Sequence, residues 1–128
     1  MYHAVIFTGL DYGDRSLYRP IGAYRIRTEL EAQGYKVKVI DHFHNLTQEH
    51  IEQSFKKYVD SDTLWVGFST TFINTSTLLA ERSKFFENLK QKYNVPIVIG
   101  GAKSLVEYLP WADVFVTGYA DEATLALT

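Results

Sequence analysis

Five short runs of β-branched and aromatic residues, separated by longer stretches with helical spacing, leave this chain few ways to fold. The runs are Ala4-Val5-Ile6-Phe7, Val37-Lys38-Val39-Ile40, Leu64-Trp65-Val66-Gly67-Phe68, Pro96-Ile97-Val98-Ile99 and Val114-Phe115-Val116. Most are continuously apolar, the pattern of parallel strands covered by helices on both faces. Strict alternation of strand and helix dictates a parallel sheet joined by right-handed crossovers.

The intervening segments carry helix signals of differing strength. Pro20 to Gln33 has proline at its start and a terminating glycine at Gly34. Thr47 to Tyr58 opens on Thr-x-x-His rather than a full capping box, with Ile51, Phe55 and Tyr58 on one face. From Thr75 to Tyr93, Leu78, Arg82, Phe85, Phe86, Leu89 and Tyr93 recur at three- and four-residue steps, the stem of Arg82 lying along apolar surface. Lys103 to Tyr108 reads as a short fourth helix and Asp121 to Leu127 as the start of a fifth. Five strands in 128 residues fit a flavodoxin-like (Rossmann-like) α/β three-layer sandwich of strand order 2-1-3-4-5. The expectation is one domain spanning residues 1–128.

Composition removes several functions. Thirteen Lys and Arg against 15 Asp and Glu give a net charge of −2, which argues against a general nucleic-acid binder. The absence of cysteine excludes disulfides, thiolate zinc sites, cysteine nucleophiles and a cysteine-held iron–sulfur cluster in this chain. No run approaches 18 apolar residues, and no basic segment precedes the first one, so a soluble, cytoplasmic protein without membrane contact is expected.

In an open parallel sheet, ligands sit beyond the carboxyl ends of the strands, where the strand order reverses. After the first strand, residues 8–19 form a long loop that lacks both Gly-x-Gly-x-x-Gly and a P-loop. Its acids, Asp11 and Asp14, read more readily as solvated or capping groups than as metal ligands. After the third strand comes Ser69-Thr70-Thr71, whose hydroxyls suit a ligand or a helix cap. A phosphorelay receiver would need an aspartate at Ser69. After the fourth strand, Gly100-Gly101 permit positive φ and close backbone approach, or simply a tight turn. After the fifth come Gly118, Asp121 and Glu122. His3, His42, His44 and His50 are not spaced as a metal site.

Taken in order, Gly34-Tyr35-x-Val37-x-Val39-Ile40-Asp41, Val66-Gly67-Phe68-Ser69, Pro96-Ile97-Val98-Ile99-Gly100-Gly101 and Val114-x-Val116-x-Gly118-x-x-Asp121-Glu122 resemble the cobalamin-binding-type domain at the N-terminus of many radical S-adenosylmethionine (radical SAM) enzymes. The resemblance runs from about Tyr2 to Leu127. It implies a corrin over the carboxyl edge of the sheet, its nucleotide tail passing between strands 1 and 3. Ser69, with Thr70 and Thr71, matches the hydroxyl segment after strand 3. Gly100 and Gly101 match the glycine pair beside the tail, and Gly118 the glycine after strand 5. Gly22 matches the last residue of an Asp-x-His-x-x-Gly motif, but Leu17 and Arg19 stand where its aspartate and axial histidine would be. Arginine offers no lone pair, so that position cannot supply a cobalt ligand.

The resemblance further implies that the iron–sulfur cluster and S-adenosylmethionine belong to a catalytic domain in cis, this chain being the N-terminal piece of a longer polypeptide and not itself catalytic. Two other functions fit the residues. One is an interaction module docking through Tyr18, Tyr24, Tyr108, Trp111 and Tyr119. The other is a small enzyme using Asp11 and Asp14 with Arg15 or Arg19 on an anionic substrate.

Overall fold

The computed structural model describes residues 1–8, 21–41, 46–69, 82–100, 111–116 and 128. In chain order they form β1 (Ala4–Phe7), α1 (Ile21–Ala32), β2 (Val37–Ile40), α2 (Gln48–Tyr58), β3 (Trp65–Ser69), α3 (Ser83–Tyr93), β4 (Ile97–Gly100) and β5 (Val114–Val116). The strands make one all-parallel sheet, β2-β1-β3-β4, with the three-residue β5 pairing along β4. This is the α/β class and the strand order expected from the alternating sequence.

Period-two alternation sorts the strand side chains into two cores. Val5 and Phe7 of β1, Val66 and Phe68 of β3, and Ile97 and Ile99 of β4 meet Ile51 and Phe55 of α2 and Phe86 and Leu89 of α3. On the opposite face Ala4, Ile6, Val37, Trp65 and Val98 meet Ala23 and Leu30 of α1. Helices thus cover both faces, which is why most strands are continuously apolar; β2, at the sheet edge, carries Lys38 and is only partly buried. Among the described residues no helix is long and apolar enough to cross a membrane.

Helix ends follow local chemistry, with two departures from expectation. Gly34 (φ 92°) ends α1 as anticipated: Tyr35 N–H donates to the Leu30 carbonyl (3.1 Å) and Gly34 N–H to that of Glu31 (3.0 Å), a Schellman closure that requires the left-handed conformation. The first departure is at α2, which does have a full capping box. His50 N–H donates to Thr47 Oγ1 (3.2 Å), and His50 Nδ1 accepts from Thr47 N–H (3.4 Å). A neutral imidazole supplies the acceptor lone pair that glutamate usually provides.

The second departure is at α3, which begins at Ser83 and does not run unbroken from Thr75. Arg82 leaves the helical region (φ −103°, ψ 20°), and its carbonyl accepts from Phe86 N–H (3.0 Å). The Arg82 guanidinium donates from Nη1 to the Leu46 carbonyl at 3.2 Å. Residues 75–81 and the expected fourth and fifth helices, Lys103–Tyr108 and Asp121–Leu127, lie outside the described residues.

Gly67 has a packing reason to lack a side chain. A Cβ built there would lie 2.7 Å from Cζ3 of Trp65, whose indole occupies that space and donates from Nε1 to Thr128 Oγ1 at 3.0 Å. Gly67→Ala therefore displaces a buried indole. We expect it to lower unfolding free energy by about 1–3 kcal/mol, measured by urea denaturation. An unchanged midpoint would show that the indole shifts without cost.

Candidate functional site

The strand register draws a line of residues along the carboxyl edge. Phe7 pairs with Ile40 on one side and Phe68 on the other, Ser69 pairs with Gly100, and Gly100 with Val116. One step past the Phe7 row, Asp41, Thr8, Ser69, Gly100 and Val116 stand side by side across the sheet. Because β1 lies between β2 and β3, the connection after β1 leaves to one side and β3 joins from the other. The topological switch point therefore falls between Thr8 and Ser69.

The N-terminal end of α1 comes to this same edge. Tyr24, in its first turn, donates its phenolic O–H to Asp41 Oδ2 (3.3 Å), just beyond the end of β2. The Arg27 guanidinium carbon lies 4.9 Å from the centre of the Tyr24 ring. Gly22 sits in the same turn, two residues before Tyr24. Asp41 belonged to the sequence pattern but not to the expected site, and Tyr24 was expected on a docking surface. The structure makes them a half-buried pair holding α1 over the edge.

Thr8 was not among the expected site residues. It is fully buried (0% exposed), and its N–H donates to the Ile40 carbonyl at 2.9 Å. Its Oγ1 is buried without a hydrogen-bond partner among the described residues. A buried hydroxyl left unpaired costs about 1–3 kcal/mol. Arg27 Nε and Trp111 Nε1 share this state, but Thr8 is the one at the switch point, which makes it a candidate functional group. In the sequence, Thr8 was visible only as the first polar residue after an apolar strand.

The amino edge is different, because its prominent polar groups are used within the chain. Asp113 accepts from Ile97 N–H through Oδ2 (2.8 Å) and from Lys90 Nζ through Oδ1 (2.6 Å). Thr63 Oγ1 donates to the Tyr2 carbonyl (2.8 Å) and accepts from Asp60 N–H (3.1 Å). These bonds tie β4 and β5 to α3, and β1 to the turn before β3.

Of the expected cofactor contacts, the fold brings Ser69 and Gly100 together as paired neighbours and puts Gly22 in the helix turn at the same edge. Gly100 is an extended strand residue; the described glycine with positive φ is Gly34. Thr70, Thr71, Gly101 and Gly118 lie outside the described residues, as do Asp11, Asp14, Arg15, Arg19, His42 and His44.

Among the described residues no three His, Cys, Asp or Glu side chains gather as a metal site. His3 is occupied, its Nδ1 accepting from Lys36 N–H at 2.9 Å, and His50 closes its capping box. Trp111, expected on an aromatic docking surface, is instead 3% exposed, stacked on Phe86 at 4.9 Å and edge-on to Phe68 at 6.0 Å. The face of α3 that carries Phe86 gives the indole more contact than solvent would. Tyr18, Tyr108 and Tyr119 lie outside the described residues.

Compared with models of protein families the chain matches none, and a comparison with curated proteins returns no match.

Proposed function

We propose that this chain is a flavodoxin-like domain of the cobalamin-binding type, holding a corrin or a substrate against a radical SAM catalytic domain in cis. The observation that carries the reading is the carboxyl-edge line at the switch point: a buried, unpaired Thr8 hydroxyl, then Ser69 paired with a side-chain-free Gly100. A broad planar ligand laid across strand ends meets no side chain at Gly100, and the Thr8 hydroxyl at the end of β1 gives such a ligand an anchor.

These residues suit contacts around the periphery of a corrin rather than to its metal. Arg19 occupies the position that the resemblance assigns to the axial histidine. Bound cobalamin would supply a cobalt centre to the neighbouring domain; the chain's own part is to hold and orient. The iron–sulfur cluster and S-adenosylmethionine of such an enzyme belong to that domain, because this chain has no cysteine. The docking alternative has lost Trp111, which is buried in the core. Among the described residues, the large hydrophobics left exposed are Met1 and Leu64, near the amino edge.

The test is titration of the chain with hydroxocobalamin, followed by the corrin absorption spectrum and calorimetry. Saturable binding with a micromolar Kd is expected, and a spectrum that stays at its free-ligand form at millimolar concentration would overturn the reading.

A further inference from the structure

We propose that the Thr8 hydroxyl, which has no hydrogen-bond partner among the described residues, is a ligand-anchoring group that bonds a neutral polar atom of the molecule held at the carboxyl edge. The inference rests on the proposed function and goes further, assigning a residue and a ligand chemistry that the resemblance does not.

The position argues for a ligand role over a structural one. Val5 and Phe7 enter the core beneath α2 and α3, while Ala4 and Ile6 enter the core beneath α1. Continued alternation puts Thr8 on the α1 side, where Tyr24 and Asp41 meet. Valine has the same shape and carries no polar atom, and it would suit strand and burial better. The Thr8 backbone N–H is committed to the Ile40 carbonyl, and its hydroxyl makes no hydrogen bond among the described residues that would repay its burial.

The same surroundings select the partner's charge. At 0% exposure, an ion beside Thr8 would be taken out of water. Asp41, directly after the residue that accepts the Thr8 N–H bond, places a carboxylate on the neighbouring strand end and opposes a phosphate. An amide, a hydroxyl or a neutral ring nitrogen meets neither penalty, and a hydroxyl both donates and accepts.

The experiment compares the wild-type chain with Thr8→Val and Thr8→Ser by hydroxocobalamin titration and by thermal unfolding without ligand. Thr8→Val is expected to raise Tm, since it removes an unsatisfied buried group, and to weaken binding about tenfold. Thr8→Ser should bind within about twofold of wild type, because the hydroxyl remains. Inorganic phosphate should leave the titration unchanged.

Equal affinity in Thr8→Val would overturn the anchoring role while leaving the proposed function standing. A lowered Tm in Thr8→Val would overturn it too, by showing that the hydroxyl serves the fold. Competition by phosphate would overturn the neutral-ligand assignment. A wild-type chain that binds no hydroxocobalamin would overturn the function and this inference together.

Discussion

Phe68→Ala is expected to lower unfolding free energy by about 3–5 kcal/mol, enough to leave much of the chain unfolded at room temperature if its total lies near the low end of the usual 5–15 kcal/mol. Phe68 is 1% exposed and is the ring around which the α2/α3 core assembles. It stacks on Phe7 across the β1–β3 pair at 5.1 Å, takes Phe86 of α3 edge-on at 5.1 Å, and takes Trp111 edge-on at 6.0 Å. Truncation removes these ring contacts and leaves a cavity between rigid strands that cannot collapse to fill it. Phe68 also immediately precedes Ser69, so the same ring fixes the end of β3 at the switch point. Urea unfolding monitored by circular dichroism measures the loss, with Phe68→Leu as the volume-retaining control. A shift in Phe68→Ala no larger than in Phe68→Leu would show that the aromatic cluster adds little beyond its volume.

The sheet was legible from the sequence because both of its faces are covered. That demand makes most strands short continuous apolar runs, with Lys38 of the edge strand β2 the exception, and the five observed strands differ from the runs by at most a residue at either end. Gly34 was equally readable, since a helix closing on a left-handed residue favours glycine. The misreadings share a physical cause: each concerns a side chain whose role is decided by a partner distant in sequence or atypical in kind. His50 closes a capping box that a pattern written for Glu or Gln passes over. Arg82 follows helical spacing, yet it stands at the N-cap of α3 rather than inside the helix, with its guanidinium donating to the Leu46 carbonyl 36 positions away. Trp111 looks like a surface aromatic until α3 supplies Phe86 to stack on it.

The candidate site was legible as a place and only partly as a set of residues. The switch-point rule located it once the strand order was known, and Ser69 and Gly100 do come together there. Thr8 and the Tyr24–Asp41 pair were hidden because nothing local marks them. Thr8 becomes informative only when its hydroxyl is seen to be buried and unpaired. Tyr24 and Asp41 become informative only when α1 is seen to begin beside the end of β2.

Gly100→Val should abolish most hydroxocobalamin binding, raising Kd about a hundredfold, while leaving the fold intact. The two effects separate because of where Gly100 sits. Its backbone is extended and paired with Ser69 and Val116, a conformation in which a β-branched residue is favoured, so a change in unfolding free energy within about 1 kcal/mol is expected. Alternation puts the new side chain on the α1 side of the sheet, beyond Val98 and on the same row as Thr8. A valine there would add a branched side chain to the row of strand ends that a ligand seated at the switch point would cover. A hundredfold loss corresponds to about 2.8 kcal/mol, the scale of a ligand part forced off its seat rather than of one missing contact. Gly100→Ala, smaller by two methyl groups, should lose about tenfold and grade the series by size. Lys92→Ala, on the far end of α3 and ion-paired to Glu52 on the surface, serves as the variant expected to bind like wild type. Wild-type affinity in Gly100→Val, with its fold confirmed by circular dichroism, would move the ligand away from the β3–β4 rim.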